Sequence, residues 1–363
     1  MDFTLDETQA ELRSLAAGLF DREADPARLA GHDESGRPYD DALWSAVAKA
    51  GLLGACLPEE SGGAGLGAVE MAVVLREAGA HVAPVPLQDA LVAGMVVGRY
   101  GSAPQRAGLS RLAEGETVLT AAPLEPGRDF GAPPETVARR TDDGWLLSGR
   151  KSMVGYAAES EAILVPARTE DGVGLFLVRP RDATVTAVPT ATGEPAAVLA
   201  LTDTPGDLVG ADDGAAFRLL RLLSLAAVTA TASGVLAGAL ELTTTHIRTR
   251  QQFGRVLAEF QAVTVQIADV YIAGRALDVA VWSGAWRVDH GLDAEAELDL
   301  AVAAHTVTDS VMLALYTCQH LHGGLGLDVT YPLHRYFAWG KHRAHLLGGV
   351  EARLDAIGEL VRC

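Results

Sequence analysis

Cysteine is scarce. The chain has three in 363 residues, Cys56, Cys318 and Cys363, too few and too scattered for a disulfide frame or a thiolate metal cage. A reducing, cytoplasmic setting is the expectation. Basic residues are also short, with 29 lysines and arginines against 47 acids and a formal charge of −18. A polyanion would meet net repulsion, which argues against nucleic-acid binding. The opening MDFTLDETQ has no basic stretch followed by an apolar one, so no secretory signal is expected. Repeats and low-complexity tracts are missing too, beyond a general richness in alanine. What remains is 49% apolar and 21% charged, the balance of a folded globular chain of two or three domains at roughly 100–200 residues each.

One long uncharged run, Leu222 to Leu240, has the length of a membrane span. Ser224, Thr229, Thr231 and Ser233 recur through it, and no tryptophan or tyrosine flanks it as an interfacial anchor. The reading is therefore a helix buried on most sides, with Gly234 and Gly238 admitting a close neighbour, and no membrane association.

Periodicity divides the chain into three parts. Residues 1–115 read as a helical domain. Thr4 and Glu7 suggest a capping box, and Leu12, Leu15, Ala16, Leu19 and Phe20 follow at helical spacing. Asp40 or Asp41 can cap a second helix carrying Leu43, Trp44 and Val47 and ending at Gly51. The run CLPEESGGAGLG, Cys56 to Gly67, is a turn-rich loop, and Val69 to Gly79 resumes a helix. Over residues 116–210 the period shortens. WLLSGRKSMVG, AILVPAR and GLFLVRP are split by Gly, Pro and Asp clusters, as in an antiparallel sheet or small barrel. Residues 211–363 return to long helical patterns, with breaks near Gly254, Gly291 and His322 to Gly326. The fold expected is α+β: a helical domain, a middle antiparallel β-domain and a second helical domain.

Two segments can carry chemistry. In RTRQQFGRVLAEFQ, Arg248 to Gln261, Arg250, Phe253 and Gln261 supply a guanidinium fork, an aromatic plate and an amide, which suit an anionic dinucleotide. The competing reading pairs Arg248 and Arg250 with nearby acids and puts Phe253 in the core. In CQHLHGGLGLDVTYPLHRYF, Cys318 to Phe337, Gly323 and Gly324 expose backbone amides beside a helix terminus, where they can bond phosphate oxygens. The histidine pairs His320/His322 and His342/His345 lack a convergent acid or cysteine, so they read as surface or interface residues and no metal is expected. Cys318 reads as small packing. Trp282 and Trp286, four apart, read as a pair packed between helices.

Through Leu57 to Gly79, Arg250 to Gln261 and His320 to Phe337, the sequence resembles the acyl-CoA dehydrogenase family. It is most similar to the short subunits of heteromeric, actinobacterial-type enzymes acting on steroid side-chain CoA thioesters. The resemblance implies a C-terminal four-helix bundle, FAD as cofactor and α,β-dehydrogenation of an acyl-CoA, in which a carboxylate takes the α-proton and hydride leaves to the flavin. It further implies an electron-transfer flavoprotein as acceptor. Carried over residue by residue, the groups holding the adenosine diphosphate end of the flavin fall on Arg250, Phe253, Gln261, Gly323 and Gly324, with His320 in the place of the family's loop glutamine.

The departures from the family are specific. One family position for the glutamate base holds Leu347, and the other falls at Ser224 and Leu225, so no catalytic residue is assigned. Glu351, one helical turn beyond Leu347, is a displaced alternative, and His345 a further one. Where relatives carry flavin-facing hydroxyls and amides, this chain reads PLEPGRDFG, Pro123 to Gly131, and MVGY, Met153 to Tyr156, after Lys151. These losses suggest one half of an α2β2 enzyme that lends its nucleotide grip to a paralogous catalytic partner. A self-sufficient homotetramer with a displaced base, and a flavin-free scaffold binding acyl-CoA or a partner, are the alternatives.

Overall fold

The computed structural model describes residues 3–362, so Cys363 lies outside the described residues. The chain opens with α1 (Glu7–Glu23), α2 (Pro26–Ser35), α3 (Asp41–Lys49), α4 (Ala68–Ala80), α5 (Leu87–Tyr100) and the short α6 (Ala103–Ala107) and α7 (Leu109–Ala113). The cap of α1 is Asp6, not Thr4. Its carboxylate accepts from the Gln9 amide at 2.8 Å, and the Gln9 side chain accepts from the Asp6 amide. A charged carboxylate is the better partner for amides at the positive end of a helix, which moves the box two residues on. Ala16, Leu19 and Phe20 are buried, whereas Leu15 faces water. Asp40 is the cap of α3, accepting from the Ala42 and Leu43 amides at 2.9 Å.

The middle region holds β1 (Leu119–Ala121), β2 (Val137–Thr141), β3 (Gly144–Gly155), β4 (Ala162–Arg168), β5 (Val173–Val178), β6 (Thr184–Val188) and β7 (Ala196–Leu208). Strand β3 pairs with β2 and β7, β7 with β6 and β5, and β5 with β4, all antiparallel. A single parallel pairing of β2 with β4 closes the ring. Inside it lie Leu147, Val154, Ile163, Val165, Phe176 and Leu199. The other departure from an antiparallel pattern is β1, which also runs parallel to β4. The two are joined through the β2–β3 hairpin, a connection long enough to return the chain in the same direction.

After the sheet come α8 (Ala215–Thr249), a minimal hairpin of β8 (Gln251–Gln252) and β9 (Arg255–Val256), α9 (Gln261–Asp289), α10 (Asp293–Thr306), a π turn leading into α11 (Met312–His322), α12 (Leu333–Leu346) and α13 (Val350–Leu360). Two helical stretches, 215–249 and 293–327, have the length and hydropathy of a membrane span. Most of the apolar run in α8 is buried by the chain itself, and its threonine hydroxyls donate to carbonyls of the preceding turn.

The chain forms two compact units. One takes residues up to 29, 72–83 and from 225 onward; the other takes 30–71 and 84–224. In the first, glycines set the distance between α4 and α8: a Cβ on Gly234 would overlap the Arg76 carbonyl, one on Gly238 the Ala80 carbonyl, and one on Gly79 the Thr231 carbonyl. The same unit buries Asp278 of α9, which accepts from Arg76 Nε at 2.9 Å, Arg275 Nη1 at 3.1 Å and the Ser233 hydroxyl. Those partners make the buried charge tolerable. Trp286 does not pack with Trp282 between helices. It is exposed and stacks on His290 at 3.9 Å, one turn along α9.

Candidate functional site

The residues expected to hold a nucleotide all stand at the surface of the first unit. Helix α8 stops at Thr249, and the turn of the β8–β9 hairpin places Phe253 and Gly254 at φ 53 and 81. Such a turn suits glycine, and a bulky residue there is held against its own preference. Phe253 is nonetheless 93% exposed. Its edge meets Phe260 at 6.4 Å, and the Arg255 guanidinium lies 4.0 Å over that second ring. Arg250 and Arg248 are exposed and neither forms an ion pair among the described residues. The reading in which these arginines pair with acids and Phe253 enters the core is therefore overturned. Gln261 begins α9, next to Phe260, and is exposed.

The glycine loop is equally open. Gly323 closes α11 at φ 60, and a Cβ on either Gly323 or Gly324 would touch nothing within 4 Å. His320 is exposed on the last turn of α11, and Leu327 and Val329 follow at 72% and 74% exposure. The two motifs are joined from beneath. The rings of His246, in the last turn of α8, and His322, next to Gly323, stack at 4.3 Å. His322 is thus buried, not a surface residue. Cys318, one turn before it, is buried as well, and burial pushes its thiol up to about 11, the state of an inert packing residue. Among the described residues no cluster of histidine, cysteine and acid has metal-site geometry. The amide expected to be free at Gly323 is engaged: it donates to the His320 carbonyl, closing the C-terminus of α11. What the surface offers an anionic ligand is an unpaired guanidinium, a displayed ring and a loop that no side chain crowds.

The flavin-facing segments sit in the other unit, and their polar groups are engaged within the protein. Lys151 on β3 is fully buried, with its ammonium 2.6 Å from Glu125. Glu125 also accepts from the Thr136 hydroxyl at 2.6 Å and from the amides of Glu135 and Thr136. Burial alone would raise the Glu125 pKa, but these donors, Lys151 foremost, hold it down to about 2. Burial pushes the Lys151 ammonium down to about 8 against the pull of its partner. With four donors on the carboxylate, the pair is ionised at neutral pH.

Beyond Lys151 the strand slips register, and Met153 and Tyr156 both take φ near 50. Tyr156 is buried, edge-on to Tyr39 at 6.2 Å. The Gly155 carbonyl accepts from the Thr120 hydroxyl at 2.8 Å. A Cβ on Gly155 would lie 3.0 Å from an Asp89 carboxylate oxygen, so a larger side chain there needs Asp89 to shift. A carboxylate beside this segment would also oppose the negative charge that a reduced flavin ring develops. The segment thus departs from the pattern that the resemblance implies. The sequence offered no sign of Asp89, since nothing in the local pattern ties residue 89 to residue 155.

No base emerges from the family positions. Leu347 caps α12 and is wholly buried, and Ser224 and Leu225 are buried in α8. Glu351 is exposed in the first turn of α13, and His345 is exposed as well. A cleft of about 540 Å³ lined by Ser160, Glu161, Arg179 and Arg181 contains none of these residues.

Comparison with known proteins matches residues 6–116 to the acyl-CoA dehydrogenase N-terminal domain and residues 223–361 to the acyl-CoA dehydrogenase C-terminal domain. Acyl-CoA dehydrogenase FadE28 of Mycobacterium tuberculosis is 38% identical over 89% of this chain and 93% of its own length. FadE27 of the same organism is 34% identical over 99% of this chain and 98% of its own. Among solved structures, a variant of the Tcur3481-Tcur3483 steroid ACAD superposes with a TM-score of 0.93 at 38% identity, over 99% of both chains. The ChsE4-ChsE5 complex from Mycobacterium tuberculosis gives 0.92 at 33% identity, over 100% of this chain and 99% of the other. With both terminal domains matched and relatives aligned along nearly the whole length, this chain belongs to the acyl-CoA dehydrogenase family.

Proposed function

We propose that the chain is the non-catalytic subunit of a heteromeric, flavin-dependent acyl-CoA dehydrogenase, paired with a paralogous catalytic subunit in an α2β2 assembly. The observation that carries this reading is the contrast between an open grip and a closed slot. Arg250 is exposed with no ion pair among the described residues, Phe253 is displayed at the surface, and Gly323 and Gly324 are open to solvent, whereas Gly155 lies close to Asp89 and the family base positions are buried leucine or serine. FAD, when bound, supplies the hydride acceptor. This chain contributes a guanidinium for the pyrophosphate, an aromatic face and an uncrowded glycine loop that a ligand can approach closely. The proton is taken by a carboxylate of the partner. The substrate is a bulky acyl-CoA, steroid-derived by likeness to the steroid ACAD, and an electron-transfer flavoprotein receives the electrons.

The self-sufficient alternative needs a displaced base such as Glu351, and that side chain is exposed to water in the first turn of α13. The test is flavin stoichiometry. The chain purified alone is expected to carry little flavin, and the co-expressed pair about one per heterodimer. Arg250→Ala in the pair is expected to lower that loading several-fold. Full loading and turnover by the solitary chain overturn the proposal.

A further inference from the structure

We propose that His246 and His322 are positioning residues for the nucleotide grip: as a stacked, uncharged pair they lock the end of α8, which carries Arg250, to the end of α11, which carries Gly323 and Gly324, and acidification releases that lock. The inference rests on the grip assigned under the proposed function for its ligand, but the pair itself is tested on the chain alone.

The geometry fixes the tautomer of the neutral ring. His322 Nδ1 lies 2.8 Å from the Cys318 carbonyl oxygen, which can only accept, so Nδ1 carries the hydrogen. In a neutral ring Nε2 is then an acceptor, and the Tyr331 hydroxyl stands 3.2 Å away to donate. His246 lies flat against the other face, at 4.3 Å and 20°. Its own carbonyl accepts from the Arg250 amide at 2.9 Å, so a shift of His246 is a shift of the arginine segment. On the other side His322 is bonded in sequence to Gly323.

The groups acting on the pair are few. Arg250, just past the end of α8, bears on His246, and so does the His322 ring. From α11 comes the Cys318 carbonyl, and from the loop before α12 the Tyr331 phenol, itself raised by burial. None is a carboxylate. Burial lowers both imidazoles below the usual histidine value; for His246 the neighbouring His322 and Arg250 lower it further, and for His322 the Cys318 carbonyl pulls the other way. The sign follows. A histidine with a depressed pKa contributes its stabilisation above the ordinary value, and loses it as pH falls through the lowered one. A proton on either ring then sets a cation at stacking distance from its neighbour and beside Arg250, and the two helix ends part.

Two measurements test this. Ring-proton NMR of the solitary chain should show two histidines titrating together below the value of free histidine; titration of either at or above that value overturns the proposal. Flavin retention by the co-expressed pair, followed by fluorescence of released FAD, should weaken below the lowered pKa by up to about tenfold per pH unit, the slope of one linked proton. His246→Phe keeps a flat neutral ring and removes one of the two titrating groups, so the acid-induced loss of retention should become smaller, whereas His246→Arg should lower retention at every pH. An acid-induced release in His246→Phe identical to that of the unmodified pair overturns the proposal as well. If Arg250→Ala leaves loading untouched while the coupled titration is observed, the grip assignment fails and the histidine lock stands.

Discussion

Two regions of this molecule carry comparable numbers of polar side chains and treat them in opposite ways. In the β-region, Glu125, Thr136, Lys151, Thr120 and the Gly155 carbonyl are bonded to one another. In the C-terminal helical region, Arg250, Gln261, His320, Gly323 and Gly324 are exposed to water. Buried polar groups must find partners, so a region that has lost a ligand closes on itself. Surface groups carry no such obligation, and a displayed phenylalanine at positive φ is a strained residue of the kind that clusters at functional sites. On the proposed function, the closed region serves as scaffold and the open one meets a partner.

That contrast breaks most sharply at Lys151. Lys151→Ala leaves the Glu125 carboxylate buried without its main counter-charge, and the expected loss is about 3–5 kcal/mol of unfolding free energy, measured by urea denaturation. Lys151→Met with Glu125→Gln should lose much less, because no buried charge is stranded. The pair also predicts acid sensitivity. Since Glu125 is held down to about 2, its contribution is present above the ordinary carboxylate range and disappears as pH falls toward that value. Glu125→Gln should flatten the acid limb of the stability profile; an unchanged limb would show that the carboxylate does not support the sheet.

The flavin-facing slot offers a smaller and more pointed test. Gly155→Thr restores a hydroxyl of the kind relatives carry but drives a Cβ toward Asp89, and overpacking of this sort costs about 1–3 kcal/mol. Asp89→Ala in the same chain should recover most of that loss. A double-mutant cycle would then give a coupling of roughly 0.5–3 kcal/mol. Additive effects would mean that Asp89 is not what closes the slot.

Much of this division was legible in the residues. The helix–sheet–helix order and the buried α8 with its glycine contacts follow from periodicity and spacing, and the leucine at the family's base position follows from the resemblance. The positions that escaped are those where partners lie far apart in the chain. Glu125 and Lys151 each sit inside a segment recognised as altered, yet no local pattern joins residues 26 apart. The same holds for Asp89 against Gly155, and for His246 against His322. The shift of the α1 cap from Thr4 to Asp6 has a different origin: two capping signatures overlapped, and the stronger acceptor prevailed.

The smallest expected effect on stability is at Phe253, and it sharpens the comparison most. The ring is almost wholly exposed and its backbone sits at φ 53, so Phe253→Ala removes little packing. The solitary chain should unfold within about 0.5 kcal/mol of the unmodified one. Phe253→Gly relieves the positive φ and should be neutral or slightly stabilising. In the co-expressed pair the same substitutions should lower flavin retention, since the displayed ring is then missing from the ligand's surroundings. A residue whose loss is silent in the free chain and costly in the complex is one held for something the chain does not itself contain. Should Phe253→Ala destabilise the solitary chain by more than about 1 kcal/mol, the ring belongs to the fold, and the open region is scaffold like the closed one.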